Sequence, residues 1–218
     1  GGSSGFIKLL TGASTTTDSG VLDLKSGAST SGKGGSISVT VGTGDTAHGG
    51  VVIVKGGETT EDADAHGGHV SVTTGRNTLN TGGFLSLIAD QGVATTSGSI
   101  VVKSANSGAS GVSGHLTFSS GTTTSGDSGE LQVGTGSSVG GKGGSISIIV
   151  GSGDTAAGGD ITIFSGETTS SGASSGLMTL STPNNGGGDS GSISVRTGTA
   201  AGGKGGYISL SVGEGDTG

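Results

Sequence analysis

The chain has no cysteine and no tryptophan, and only one proline, one methionine and one tyrosine. Without thiols, disulfide staples and thiolate metal sites are excluded. Aromatic residues make up 2% and hydrophobic residues 28% of the 218 positions, too little large apolar volume to fill a globular core. Basic residues are scarce: 9 Lys and Arg stand against 16 Asp and Glu, for a net charge of −7. That balance argues against a nucleic-acid partner, which needs a basic face, and against an anionic membrane surface. No apolar run approaches the roughly 20 residues of a membrane-spanning helix, so no membrane insertion is expected. The chain opens at Gly1 with neither an initiator Met nor a signal-peptide pattern, and a processed or excised part of a longer chain is expected.

What the chain has instead is glycine, 53 residues of it, with Ser and Thr supplying much of the rest. Such a composition belongs to a disordered chain unless a strict period overrides it. A period is present. The stretch Lys33–Thr46 returns almost unchanged at Lys142–Thr155 and at Lys204–Thr217. With Gly35 as position 1, repeats start at Gly5, Gly20, Gly35, Gly50, Gly68, Gly83, Gly98, Gly114, Gly129, Gly144, Gly159, Gly176, Gly191 and Gly206. Most have the length of the repeat Gly20–Gly34; longer ones run from Gly50 to Gly67, Gly98 to Ser113 and Gly159 to Ser175. Positions 3 and 5 are apolar in all fourteen repeats, as in Ile37 and Val39, Ile146 and Ile148, and Ile208 and Leu210. A choice of glycine frame cannot force that outcome.

Alternation over positions 2 to 6 predicts a short strand with one buried face. Position 8 is Gly in eleven repeats, the departures being Asp90, Ala105 and Pro183, and is expected to carry a sharp bend at positive φ. Positions 9 to 13 are expected to form a second, weaker strand. A repeat of about 15 residues is too short for a strand, a crossover helix and a return, but long enough for one coil of a solenoid. The expected fold is therefore all-β: one continuous array over 1–218, a single-stack parallel β-solenoid, or β-helix, of fourteen coils without helices. At about 4.8 Å per rung the rod would be roughly 65 Å long, with positions 3 and 5 as its inner wall. The longest loop insertion is expected at about 58–66.

Charge supplies a second test of register. Asp18 and Lys33, Asp127 and Lys142, and Asp189 and Lys204 are each one repeat apart, all at position 14. In a stacked coil each Lys would lie beside its Asp on the next rung, a structural ladder that penalises slipped stacking. Neither terminus carries a polar capping repeat, so self-association is expected, head to tail and laterally. Running Gly218 into Gly1 keeps the array in phase, with a joined coil as long as the repeat Gly159–Ser175.

Chemistry-bearing residues are sparse. His48 and His66 precede paired glycines, and His66 and His69 follow an acidic run that includes Asp62 and Asp64. Imidazole with carboxylate can hold a divalent metal, but no spacing here enforces a coordination geometry, so His48, His66, Asp62 and Asp64 stand as weak metal candidates only. Asp45, Asp154 and Asp216 in Gly-Asp-Thr resemble the glycine–aspartate repeats of calcium-binding bacterial β-rolls. Here Thr follows Asp and many coils lack it, so a turn role is expected instead. Thr15–Thr17 and Thr122–Thr124 suggest an ice-binding face, but the ladder is missing from most coils. No nucleophile–base set and no phosphate loop in strand–helix context occurs, so neither an enzyme nor a cofactor is expected.

The run Gly-Gly-Ser-Ile-Ser-Val…Val-Gly-x-Gly-Asp-Thr…Gly-Gly-x-Val-x-Ile-x-x-Gly-Glu-Thr-Thr resembles low-complexity Gly/Ser/Thr repeats in large secreted proteins of diatoms and related algae. The likeness covers essentially the whole chain. It implies an extracellular or cell-surface location and carries over no functional residue. The expected function is a structural filament, fibre or surface appendage built by end-to-end continuation of the solenoid. The alternative is an adhesin stalk or a binding surface for polysaccharide, mineral or ice.

Overall fold

The computed structural model describes residues 4–45, 48–60 and 66–215. Contacts divide the chain into two regions, Gly1–Leu116 and Thr117–Gly218. Among the described residues there is no helix and no strand. The expected parallel β-solenoid, or β-helix, is therefore not the fold: no rung pairs with another. The columns that were to line its inner wall face solvent, with Ile37 52% and Ile146 55% exposed. No described residue, apolar or polar, is buried.

The physical reason lies in what a stack would have to bury against. Positions 3 and 5 supply one apolar wall, and the wall opposite would be Gly, Ser and Thr. Each apolar side chain yields about 1.5–3 kcal/mol if fully buried, but every ordered residue costs about 1–2 kcal/mol of backbone entropy, and Gly costs the most. Two apolar side chains per repeat fall far short of ordering the whole repeat. The chain settles instead for closures that are local.

Each repeat consists of an extended stretch over positions 1 to 7 and a loop that returns the chain to position 1 of the next repeat. The neck of the loop recurs along the chain. At twelve of the thirteen junctions, the side chain at position 7 lies within 4 Å of where a Cβ would stand on the next position 1. In Gly1–Leu116 the pairs include Ser26 with Gly35 and Val41 with Gly50. In Thr117–Gly218 they include Thr135 with Gly144 and Val150 with Gly159. At the thirteenth, position 7 is Gly56, and a Cβ there would overlap the Gly68 carbonyl oxygen.

Backbone hydrogen bonds fasten four of these necks. The N–H of Gly68, Gly83, Gly98 and Gly176 donates to the carbonyl of Gly57, Gly75, Asp90 and Gly166, at 2.8–3.0 Å. Each runs from position 1 back to position 8 of the preceding repeat. Side chains add two more: Ser26 Oγ donates to the Gly35 carbonyl at 2.9 Å, and Thr135 Oγ1 to that of Gly144 at 3.2 Å. Short surface loops whose two ends meet in this way are Ω-loops. The longer repeats from Gly98 and Gly159 place their extra residues inside the loop and keep the neck; the repeat from Gly50 also keeps its neck, and its expected insertion at 58–66 lies partly outside the described residues.

The loops turn at their tips, not at position 8. Bends fall at 15–17, 30–32, 78–80, 93–95 and 109–111 in the first region. In the second they fall at 124–126, 139–141, 154–156, 170–172, 186–188 and 201–203. These are positions 11 to 13, or 12 to 14 in the repeats from Gly98 and Gly159, where a second strand was expected. Among the described residues the positive-φ glycines are Gly111, Gly126, Gly140 and Gly172, all in these bends and none at position 8. Gly126 at φ 103° and Gly140 at φ 80° hold a conformation that a side chain would strain.

Candidate functional site

The recurring constellation in this chain is the loop tip, and one column of side chains organises it. Asn77 Oδ1 accepts from the N–H groups of Leu79 and Asn80, both at 2.9 Å. Asn185 Oδ1 accepts from Gly187 N–H at 3.3 Å while its Nδ2 donates to the Asp189 carbonyl at 3.1 Å. Ser14 Oγ accepts from Thr17 N–H at 3.1 Å, Thr123 Oγ1 from Ser125 N–H at 3.3 Å, and Thr168 Oγ1 from Ser170 N–H at 3.2 Å. All five residues occupy position 10. A short side-chain acceptor placed just before a bend captures the backbone N–H two or three residues on, which is the geometry of Asx and Ser/Thr turns.

Sequence reasoning passed over this column. Its signal was nevertheless present: position 10 is Ser, Thr or Asn in nine of the fourteen repeats. In a chain so rich in hydroxyls, that enrichment is visible only once the bend is known to follow it. Ser29 and Ser138, also at position 10, place Oγ 3.4 and 2.9 Å from the Cβ sites of Gly32 and Gly141, three residues on. Those small residues leave room for the hydroxyl to reach over the bend.

The residues singled out from sequence are distributed as follows. His48 and His66 are exposed, and Asp62 and Asp64 lie outside the described residues. Among the described residues no three of His, Asp and Glu converge on a point where a metal ion could sit. The position-14 residues Asp18, Lys33, Asp127, Lys142, Asp189 and Lys204 are all exposed. The two ion pairs among the described residues involve none of them: Lys25 meets Asp23 at 2.6 Å and Lys55 meets Glu58 at 3.2 Å. Both are solvent-exposed pairs between near neighbours, of the kind that contributes about 0–1 kcal/mol. The ladder depended on stacking of equivalent positions in successive repeats. The necks instead join different positions within one loop, such as Ser26 and Gly35.

Thr15, Thr16 and Thr17 form one bend, whereas only Thr124 of the Thr122–Thr124 run enters the bend at 124–126. The two runs therefore present their hydroxyls differently. Asp154 sits at the start of the bend 154–156, the chain also bends at Asp45, and Asp216 lies outside the described residues. No helix among the described residues is long and apolar enough to cross a membrane. What the loop tips offer chemically is hydroxyl and amide groups on short tethers, already partly engaged with their own backbone. No protein-family model, characterised protein or solved structure matches the chain.

Proposed function

We propose that this chain is a structural repeat protein of an extracellular fibre or cell-surface appendage, with other copies of itself as its main partner. The observation that carries the reading is the repetition of one architectural unit without a site. Thirteen junctions share a neck between position 7 and position 1, and the two apolar columns are exposed in every repeat. A folded binding or catalytic domain concentrates its unusual residues in one place; here each repeat holds much what the next one holds.

The division of labour within a repeat supports the same reading. The extended stretch presents two apolar side chains that a single chain leaves uncovered, as at Ile193 and Val195. The loop presents Gly, Ser and Thr, which hold water and space the extended stretches apart. A tandem array of sticky and hydrated segments suits a load-bearing material. The likeness to secreted algal repeats agrees with an extracellular or cell-surface location. Electron microscopy of the concentrated recombinant chain, with immunogold labelling of the cells that make it, tests the proposal. Fibres, and label on the cell exterior, are expected; monodisperse monomers at high concentration, or label confined to the cell interior, would remove it.

A further inference from the structure

We infer that copies of this chain associate through three of the extended stretches, residues 36–41, 145–150 and 207–212, pairing like with like along their free backbone edges. The inference rests on the structural reading above and names the surface through which it would operate.

Four observations point to these stretches. First, they read Ser-Ile-Ser-Val-Thr-Val, Ser-Ile-Ser-Ile-Ile-Val and Tyr-Ile-Ser-Leu-Ser-Val, with no charge, glycine or proline in any of them. Six-residue segments of high β-propensity and no charge are those that stack as identical strands, burying identical side chains between layers. Most other repeats interrupt the corresponding stretch with charge, as at Lys8, Asp23, Lys55, Lys103 and Arg196.

Second, their backbone is uncommitted. The backbone–backbone hydrogen bonds among the described residues close loop necks or the turn at Ser170–Ala173, and none involves these three stretches. An extended segment with unpaired N–H and C=O groups is a template for another strand. Third, the apolar side chains are presented outward: Ile37, Val39, Ile146, Ile148, Ile208 and Leu210 are all at least half exposed.

Fourth, the area approaches what a stable partner needs. The transfer coefficient gives roughly 60–120 Å² for each fully exposed aliphatic side chain, so the apolar residues of the three stretches, from Ile37 to Val212, offer on the order of 600 Å² per copy. A standard interface takes about 800 Å² from each partner. A second copy is the occupant that fits, because it offers the same uncharged, alternating segments in the same order and spacing. Its loops, whose necks are already closed, stay outside the paired stretches.

The chain has no cysteine, so single cysteines can be introduced and labelled without background. Ser38→Cys, Ser147→Cys and Ser209→Cys, each at position 4, would carry a nitroxide inside one stretch, and Ser137→Cys would carry it in a loop. In-register pairing sets successive labels about 4.8 Å apart, so the three stretch labels should give exchange-narrowed spectra on assembly and the loop label should not. In sedimentation velocity, the triple variant Ile37→Lys, Ile146→Lys and Ile208→Lys should raise the concentration for half-assembly by about tenfold or more. The matching Ile→Val triple should leave it within about twofold. Fibres whose stretch labels show no coupling, or a Lys triple that assembles as the parent does, would overturn the inference and leave the structural function standing. A parent chain that stays monomeric at about 100 µM would overturn both.

Discussion

Glycines at positions 1 and 8 look alike in the sequence, yet they sit in different surroundings. A Cβ on Gly176 would stand 3.0 Å from the Gly166 nitrogen and 3.3 Å from its carbonyl oxygen, whereas one on Gly166 would meet nothing within 4 Å. The two residues share one hydrogen bond, from Gly176 N–H to the Gly166 carbonyl at 2.8 Å. Gly176→Ala should therefore pry the neck apart, and Gly166→Ala should leave it closed. By amide hydrogen exchange, the residue-176 amide should lose about fivefold in protection in the first variant, the equivalent of about 1 kcal/mol, and be unchanged in the second. Asn77 permits the same comparison at a loop tip. Asn77→Ala removes the acceptor shared by the Leu79 and Asn80 amides, and both should exchange about fivefold faster. Asn77→Asp keeps an acceptor oxygen in place and should restore protection. Equal exchange in the Ala and Asp variants would show that the bend does not need its side-chain cap.

At the scale of the element, the neck and not the loop defines the repeat. Loop length enters closure entropy only logarithmically, so lengthening a loop of roughly nine residues by two costs about 0.2 kcal/mol. Two glycines inserted between Val139 and Gly140 should thus leave the contact between Thr135 and Gly144 intact, as read from cross-relaxation between their protons. One residue inserted between Ser145 and Ile146 should do something different: it moves Ile146 and Ile148 to the opposite side of the extended stretch relative to the neck. The same distinction explains what could be read in advance. The apolar columns through Ile37 and Val39 and their equivalents were legible, because alternation is written directly in the residues. The partner of each stretch was not. A regular period marks which positions are equivalent, as Asp18 and Lys33 are, but does not say which positions touch. Contacts across the neck of one loop and contacts between stacked coils produce identical columns. Energetics decide between them: a stack must order the whole repeat for two apolar side chains, whereas a neck such as Ser26 with Gly35 orders only the ends of one loop. The position-10 turns were hidden for another reason, since Ser and Thr are so common here that their placement carries little contrast until the bends are located.

At the scale of the whole molecule, charge and apolar exposure oppose each other. The net charge of −7 is spread along the chain, and the two ion pairs that form among the described residues are local and exposed, so they do not neutralise it. Copies approaching one another therefore meet like charge first and complementary apolar stretches only at contact. At about 10 mM salt the repulsion reaches about 30 Å; at about 1 M it reaches about 3 Å, the length of a hydrogen bond. Burial of apolar side chains is not screened by salt, and excluded salts such as sulfate strengthen it. Two sodium salts separate the contributions. Raising sodium chloride should promote assembly up to the concentration at which the repulsion is screened and little beyond it. Sodium sulfate at matched ionic strength should continue to promote it, because it also favours burial of Ile37, Ile146 and their equivalents. Light scattering across both series checks this. Assembly that weakens steadily with sodium chloride would mean that opposite charges, such as Asp127 and Lys142 meeting between chains, hold the copies together in place of the apolar stretches.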